Sequence, residues 1–144
     1  MAVSDATWWV TIVDATLVRY HPDSYDAALD AQPADRRAEI EETLAGLRFV
    51  RNQMGVHLDP TEFVRGRTWQ AVDPPATQEL SPAGQEWERG RYRAYQERLA
   101  GQDVVRAFNL AARFLRVAAE GANAWVPGEA TPPPDLWRGG ALGS

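Results

Sequence analysis

The residue pattern between positions 33 and 58 constrains the fold more than any other feature of this sequence. Large side chains recur there at alternating steps of four and three, at Ile40, Leu44, Leu47, Arg51, Met54 and Leu58. This spacing places them along one stripe of a single long helix. Pro33 suits the first turn of that helix, and Pro60 ends it because proline has no amide hydrogen to donate. A helix with one such stripe needs other helices to cover it.

Three further segments show helical periodicity. The first, from about Asp5 to Tyr20, is expected to bury one wide apolar face made of Trp8, Trp9, Ile12, Val13, Leu17 and Tyr20. A third helix is predicted over 83–99 and a fourth over 102–120, with an interruption at Gly101. The fourth is expected to bury a face made of Val104, Val105, Phe108, Ala112, Leu115 and Ala119, and Gly121 is predicted to cap its end. A short helical piece is expected around 24–29.

Prolines divide the remaining chain. Pro60, Pro74, Pro75 and Pro82 mark residues 59–82 as a long loop, which Phe63 and Trp69 are predicted to anchor to the body. No alternating pattern is long enough to predict a strand. We therefore predict an all-α fold, an antiparallel four-helix bundle with up to five helices and a long loop after the second major helix. The helical domain is placed at 1–121, and 122–144 is predicted to be an extended Pro/Gly-rich tail.

Composition excludes several kinds of chemistry. The chain of 144 residues has no cysteine, which excludes disulfides, thiolate metal sites and cysteine nucleophiles. All 15 basic residues are arginine, so no lysine is present for a Schiff base or a phosphate-binding loop. The net charge of −5 gives no broad attraction to nucleic acid, so an RNA contact has to come from locally clustered arginines. No membrane span or signal peptide is visible, which favours a cytoplasmic location.

Arg51 is the anomaly in the long helix. It occupies a position on the stripe where leucine or isoleucine is expected, and burying an unpaired guanidinium is costly. Its side chain therefore has to reach solvent, pair with an acid, or face a cleft or an interface. Asn52 follows it, and His57 comes after four intervening residues.

The stretch Arg51-Asn52, four residues, His57 resembles the motif of the HEPN (higher eukaryotes and prokaryotes nucleotide-binding) superfamily, which also carries its motif late in a long helix. The resemblance implies a helical bundle that forms a homodimer, and a metal-independent endoribonuclease without a cofactor. It further implies that His57 is the acid/base residue, that Arg51 binds phosphate and that Asn52 orients the site. A role as a toxin or defence component follows, with RNA as substrate and an antitoxin or another protein as partner. No membrane association or DNA specificity is expected.

The implied roles agree with the chemistry of the side chains. Histidine has a pKa close to working pH, and arginine presents a planar fork that matches two phosphate oxygens. Residues six apart on an ideal helix are rotated by about 120° and separated by roughly 9 Å. Arg51 and His57 of one chain therefore do not converge naturally. Either the helix bends at Gly55 or a second chain completes the site, and we favour the second.

Simpler interpretations remain open for these residues. His57 is alternatively a surface residue at a helix end, Arg51 a partner in a structural salt bridge, and Asn52 an ordinary exposed residue. The whole chain is then a non-catalytic module that binds a nucleotide or a protein, or a helical scaffold with a chance motif.

Other charged residues give weaker signals. Arg65 and Arg67, in the loop after the motif, are weak candidates for substrate binding. The third helix interleaves arginines with Trp87, Tyr92 and Tyr95, which is typical of single-stranded RNA binding. A salt-bridged solvent face is favoured there, because Glu86 and Arg89 are three positions apart and Arg93 and Glu97 four, the spacings at which side chains pair on a helix. Two histidine–aspartate pairs (His21 with Asp23, His57 with Asp59) are too few for a favoured metal site. The acids Asp14, Glu39, Glu41 and Glu42 are expected to be surface or pairing charges.

Overall fold

The computed structural model describes residues 3–54 and 60–123. Its helices are α1 (Val3–Tyr20), α2 (Pro22–Asp30), α3 (Ala34–Met54), α4 (Pro60–Phe63), α5 (Pro82–Ala94) and α6 (Val104–Gly121). A π-helical segment, Tyr95–Leu99, continues α5, and the strands β1 (Val64–Arg65) and β2 (Thr68–Trp69) follow α4. The predicted all-α helical bundle is confirmed. The predicted tail, except for its first two residues, lies outside the described residues.

The long helix α3 is central to the bundle. It contacts α1, α5, α6 and the π-helical segment. Its predicted stripe is buried at Ile40, Leu44 and Leu47, and Phe49 and Val50 widen the buried surface, each being at most 3 % exposed. Each such side chain stabilises the fold by about 1.5–3 kcal/mol when it leaves water. Helix α3 is therefore the element around which the others assemble.

The buried face of α1 differs in part from the predicted one. Trp8, Ile12 and Tyr20 are exposed at 54 %, 45 % and 65 %. Leu17 is buried as predicted, and Trp9 and Val13 are partly buried against the core. The rest of the buried face is a neighbouring stripe, made of Thr7, Val10, Thr11 and Asp14. The threonine hydroxyls donate to carbonyls one turn earlier, Thr7 to Val3 and Thr11 to Thr7, each at 2.8 Å. These bonds satisfy the hydroxyls internally, so the polar stripe is buried at little cost.

The predicted face of α6 is also partly wrong. Val105 is 44 % exposed and Ala112 is exposed, whereas smaller and aromatic side chains complete the buried face at Ala107, Ala111, Phe114 and Ala118. Gly121 is the last residue of α6 and not its cap. The left-handed backbone that ends the segment occurs at Asn123, with φ of 56°.

The segment predicted as one long loop contains structure of its own. Helix α4 and the β1–β2 hairpin occupy its first part, and Gly66 turns the hairpin with φ of 64°. Phe63 and Trp69 are fully buried, which confirms them as anchors. Beyond the hairpin, the Tyr95 hydroxyl donates to the Gln70 carbonyl, and the Tyr92 hydroxyl donates to the Val72 carbonyl at 2.7 Å. The loop is therefore attached to α5 and the π-helical segment.

Gly46 allows α3 to approach the π-helical segment closely. A Cβ atom at this position would lie 2.8 Å from Leu99 Cδ1 and 3.3 Å from Tyr95 Cα. Leu99 and Tyr95 are fully buried, so neither has room to move away. The contact therefore depends on the missing side chain.

We expect Gly46→Ala to lower the free energy of unfolding by about 1–2 kcal/mol, because overpacking costs more than the gain in helix propensity returns. Gly90→Ala in α5 is the matched control, since a Cβ there meets no atom of the described part of the chain within 4 Å. That control is expected to be neutral or stabilising by up to about 1 kcal/mol. Chemical denaturation of both variants measures the difference, and equal stabilisation by both substitutions would contradict the close approach.

Candidate functional site

A cleft of about 360 Å³ lies between α1, α3 and α5. Two predicted site residues, Arg51 and Asn52, line it together with Arg48. These three residues share one side of α3 because positions three and four apart are neighbours on a helix. Ala15 and Val18 of α1 form the opposite wall. The structure thus brings Arg51 and Asn52 together in one open cleft.

Arg51 faces this cleft and has an aromatic neighbour. Its guanidinium carbon lies 4.4 Å from the centroid of the Trp8 ring, a cation–π contact. Arg51 is half-buried, and no salt bridge joins it to any acid in the part of the chain that the structure describes. Among the described residues, the salt-bridge interpretation of Arg51 is therefore not supported.

Asp14 forms the buried floor of the cleft. It is 1 % exposed, accepts a hydrogen bond from the Tyr25 hydroxyl at 2.6 Å and pairs with the Arg48 guanidinium, whose Nε lies 2.8 Å away. Burial and the neighbouring carboxylate raise the pKa of the Tyr25 hydroxyl, so it remains a donor. The expectation of a pairing charge at Asp14 is confirmed, but its burial was not predicted. Its only sequence signal is its place on the stripe of Thr7, Thr11 and Leu17.

Arg91 completes a group of three guanidinium groups around the cleft. It approaches Glu88 at 3.8 Å, and its buried Nε has no hydrogen-bond partner among the described residues. Burial lowers the pKa of Arg91, and the positive charges of Arg48 and Arg51 lower it further against the opposing effect of Glu88. Among the described residues, three positive groups thus stand against two carboxylates, Asp14 in the cleft and Glu88 beside Arg91. The cleft is a local positive site in an acidic chain, suited to an anion.

A second groove, of about 610 Å³, adjoins this cleft. Asn52, Trp87 and Arg91 line both spaces, and Pro75 and Leu80 add apolar surface to the second. The predicted ion pair Glu86–Arg89 is confirmed at 3.1 Å. The predicted pair Arg93–Glu97 is not formed, both residues being among those described. Helix α5 is therefore only partly a salt-bridged solvent face.

The remaining predicted site residues lie elsewhere. Arg65 is exposed on β1, and Arg67, in the hairpin turn, pairs with Asp103 at 3.4 Å. Neither lines the cleft of Arg51 and Asn52. His57, the predicted acid/base residue, lies outside the described residues, three positions after the described end of α3.

Comparisons with models of protein families, with curated proteins and with solved structures found no match to this chain. None of the helices that the structure describes combines the length and hydropathy needed to cross a bilayer. The functional inference therefore depends on the residues of the cleft and on the motif they carry.

Proposed function

We propose that this chain is a metal-independent endoribonuclease of HEPN type that acts on single-stranded RNA as a toxin or defence component. The observation that carries the proposal is the position of Arg51. It lies beside Asn52 in an open cleft with two further arginines, and no described acid pairs with it. A structural arginine on a core stripe would be expected to have such a partner. An arginine that binds an RNA phosphate has to remain free of one.

In this mechanism the cleft holds the scissile phosphate. The 2′-hydroxyl of the ribose attacks the adjacent phosphorus, its proton leaves, and the 5′-oxygen of the next nucleotide departs with a proton. The products carry a 2′,3′-cyclic phosphate and a 5′-hydroxyl. Arg51 stabilises the charge that grows on the phosphate oxygens, Asn52 orients the site, and His57 transfers the proton.

A homodimer belongs to the proposal. The apolar side chains Trp8, Ile12 and Val18 are each at least 44 % exposed on α1. Two of them adjoin the cleft, because Trp8 contacts Arg51 and Val18 lines the cleft wall. Such a strip next to a charged cleft is typical of an interface. A second copy covering it would bring a second motif to the same place and supply His57 from the partner chain.

The test is incubation of the purified protein with a panel of single-stranded RNAs in EDTA and in magnesium. We expect equal cleavage under both conditions, with 2′,3′-cyclic phosphate ends, because proton transfer and guanidinium groups need no metal. The activity has to follow the protein through gel filtration, which excludes a contaminating nuclease. Absence of cleavage by the folded protein would refute the proposal.

A second candidate function has one observation in its favour. A single chain already forms the cleft, whose volume of about 360 Å³ falls within the usual range for small-ligand sites. A non-catalytic module that binds a nucleotide needs no more than this, and the acidic net charge of −5 is compatible with it. Binding of a nucleotide without cleavage of any RNA would favour this function over the first.

A further inference from the structure

Trp87 is placed between the two spaces described above. Its indole lines both the arginine cleft and the adjoining groove, and it is 64 % exposed. The guanidinium carbon of Arg91 lies 4.1 Å from the ring centroid, so this side chain covers one face of the indole. The high exposure leaves the opposite face accessible. An indole held by one neighbour and open on the other side is a preformed stacking surface.

The two spaces differ in chemistry as the phosphate and the base of a nucleotide do, one being charged and the other largely apolar. On one side of Trp87, the guanidinium groups of Arg48, Arg51 and Arg91 suit a phosphate. On the other side, Pro75 and Leu80 offer apolar walls and Gln78 an amide for hydrogen bonding. That groove, at about 610 Å³, is within the range of small-ligand sites.

We propose that Trp87 is the stacking platform for one nucleobase of single-stranded RNA, with the phosphate of the same or the adjacent nucleotide in the cleft of Arg48, Arg51 and Arg91. RNA as the ligand comes from the proposed function, on which this inference rests. The stacking itself needs no cleavage. Trp87 thereby sets which part of an RNA lies against Arg51, because a base has to be unstacked from its neighbours to reach the indole.

The test uses a short single-stranded RNA in which every ribose carries a 2′-O-methyl group, so that the attacking hydroxyl is blocked. One base is replaced by 2-aminopurine, whose fluorescence is quenched on stacking, and the substituted position is moved along the oligonucleotide. We expect quenching by the wild-type protein at one position. Trp87→Leu is expected to abolish the quenching and to weaken binding roughly 5- to 150-fold, while Trp87→Phe retains most of both.

Tyr20→Leu is the matched control. Tyr20 is 65 % exposed, and the guanidinium carbon of Arg19 lies 5.3 Å from the centroid of its ring. Tyr20 therefore resembles Trp87 in exposure and in having an arginine neighbour. It does not line either space, and its replacement is expected to leave binding and quenching unchanged. Thermal unfolding of each variant checks that the fold is intact.

The outcomes separate this inference from the proposed ribonuclease. Quenching that depends on Trp87, in a protein that cleaves no RNA, supports the platform and refutes the enzyme. Cleavage by the wild-type protein with unchanged binding by Trp87→Leu refutes the platform alone. No binding of the oligonucleotide by the wild-type protein also overturns the platform. If Trp87→Leu changes the oligomeric state but not the affinity for RNA, Trp87 belongs to a protein-contact surface, and this result also overturns the platform.

Discussion

Replacing Arg51 by alanine is expected to reduce RNA cleavage by about 10²–10³-fold, the usual cost of removing one group that stabilises a transition-state charge. The fold should tolerate the change, because the contact with Trp8 is worth only about 0.5–1 kcal/mol at an exposed site. Arg51→Lys keeps the charge but not the planar fork, so intermediate activity is expected. Arg113→Ala, on the exposed side of α6, is the matched control and should cleave like the wild type.

The same variant tests whether two chains share a site. Arg51→Ala and His57→Ala protomers, unfolded together and refolded as a mixture, contain heterodimers in which one chain supplies Arg51 and the other supplies His57. If each site takes these residues from different chains, two-fold symmetry predicts recovery to about a quarter of wild-type activity in an equal mixture. Sites formed within single chains would give no recovery. Activity in Arg51→Ala equal to that of the wild type would remove Arg51 from the mechanism altogether.

Asp14→Ala is expected to have the largest effect on stability. The substitution leaves the partly buried Arg48 guanidinium and the buried Tyr25 hydroxyl without their shared acceptor. Breaking a buried pair costs about 3–5 kcal/mol, and we expect about 3 kcal/mol because the Arg48 side chain is 32 % exposed. For a domain of this size the unfolding midpoint should fall by roughly 6–12 °C.

Two matched variants locate the origin of that loss. Asp14→Asn keeps the shape and one acceptor but removes the charge, and Tyr25→Phe removes one donor at a cost of about 1 kcal/mol. The expected order of stability is Tyr25→Phe above Asp14→Asn above Asp14→Ala. Chemical denaturation monitored by circular dichroism measures it. A free energy of unfolding of Asp14→Ala within about 0.5 kcal/mol of the wild-type value is the range of ordinary surface substitutions. That result would show that the contacts of Asp14 with Arg48 and Tyr25 do not stabilise the fold.

The prediction of α3 from the sequence succeeded because its stripe is both long and apolar, and Ile40, Leu44 and Leu47 are buried as expected. Helix α1 was predicted, but its buried face was predicted only in part, because hydrophobic periodicity counts Trp8 and Ile12 but gives no weight to threonines that satisfy their own hydroxyls. Thr7, Thr11 and Asp14 are buried for that reason and because partners come from distant helices. No local pattern identifies such a face.

The candidate site was predicted in part, for a similar reason. Arg51 and Asn52 were singled out from the sequence because they form a short local motif, and the structure places both in one cleft. Asp14 and Arg48 are 34 positions apart, and Arg91 reaches the cleft only through the packing of α5 on α3. The hairpin escaped prediction because strands of two residues show no alternation. The contact of Asp14 with Arg48 and the approach of Arg91 to the cleft arise only when the helices pack together.

Because the cleft lies between three helices, a ligand bound in it holds those helices together and stabilises the fold. Its walls come from α1, α3 and α5, so an anion bound there contacts elements that separate when the chain unfolds. Such a ligand stabilises the native state by an amount that grows with the logarithm of its concentration relative to its dissociation constant, about 2.7 kcal/mol at a hundred times that constant. Thermal denaturation in the presence of nucleotides, oligonucleotides or inorganic phosphate therefore ranks ligands for this cleft without any assumption about chemistry.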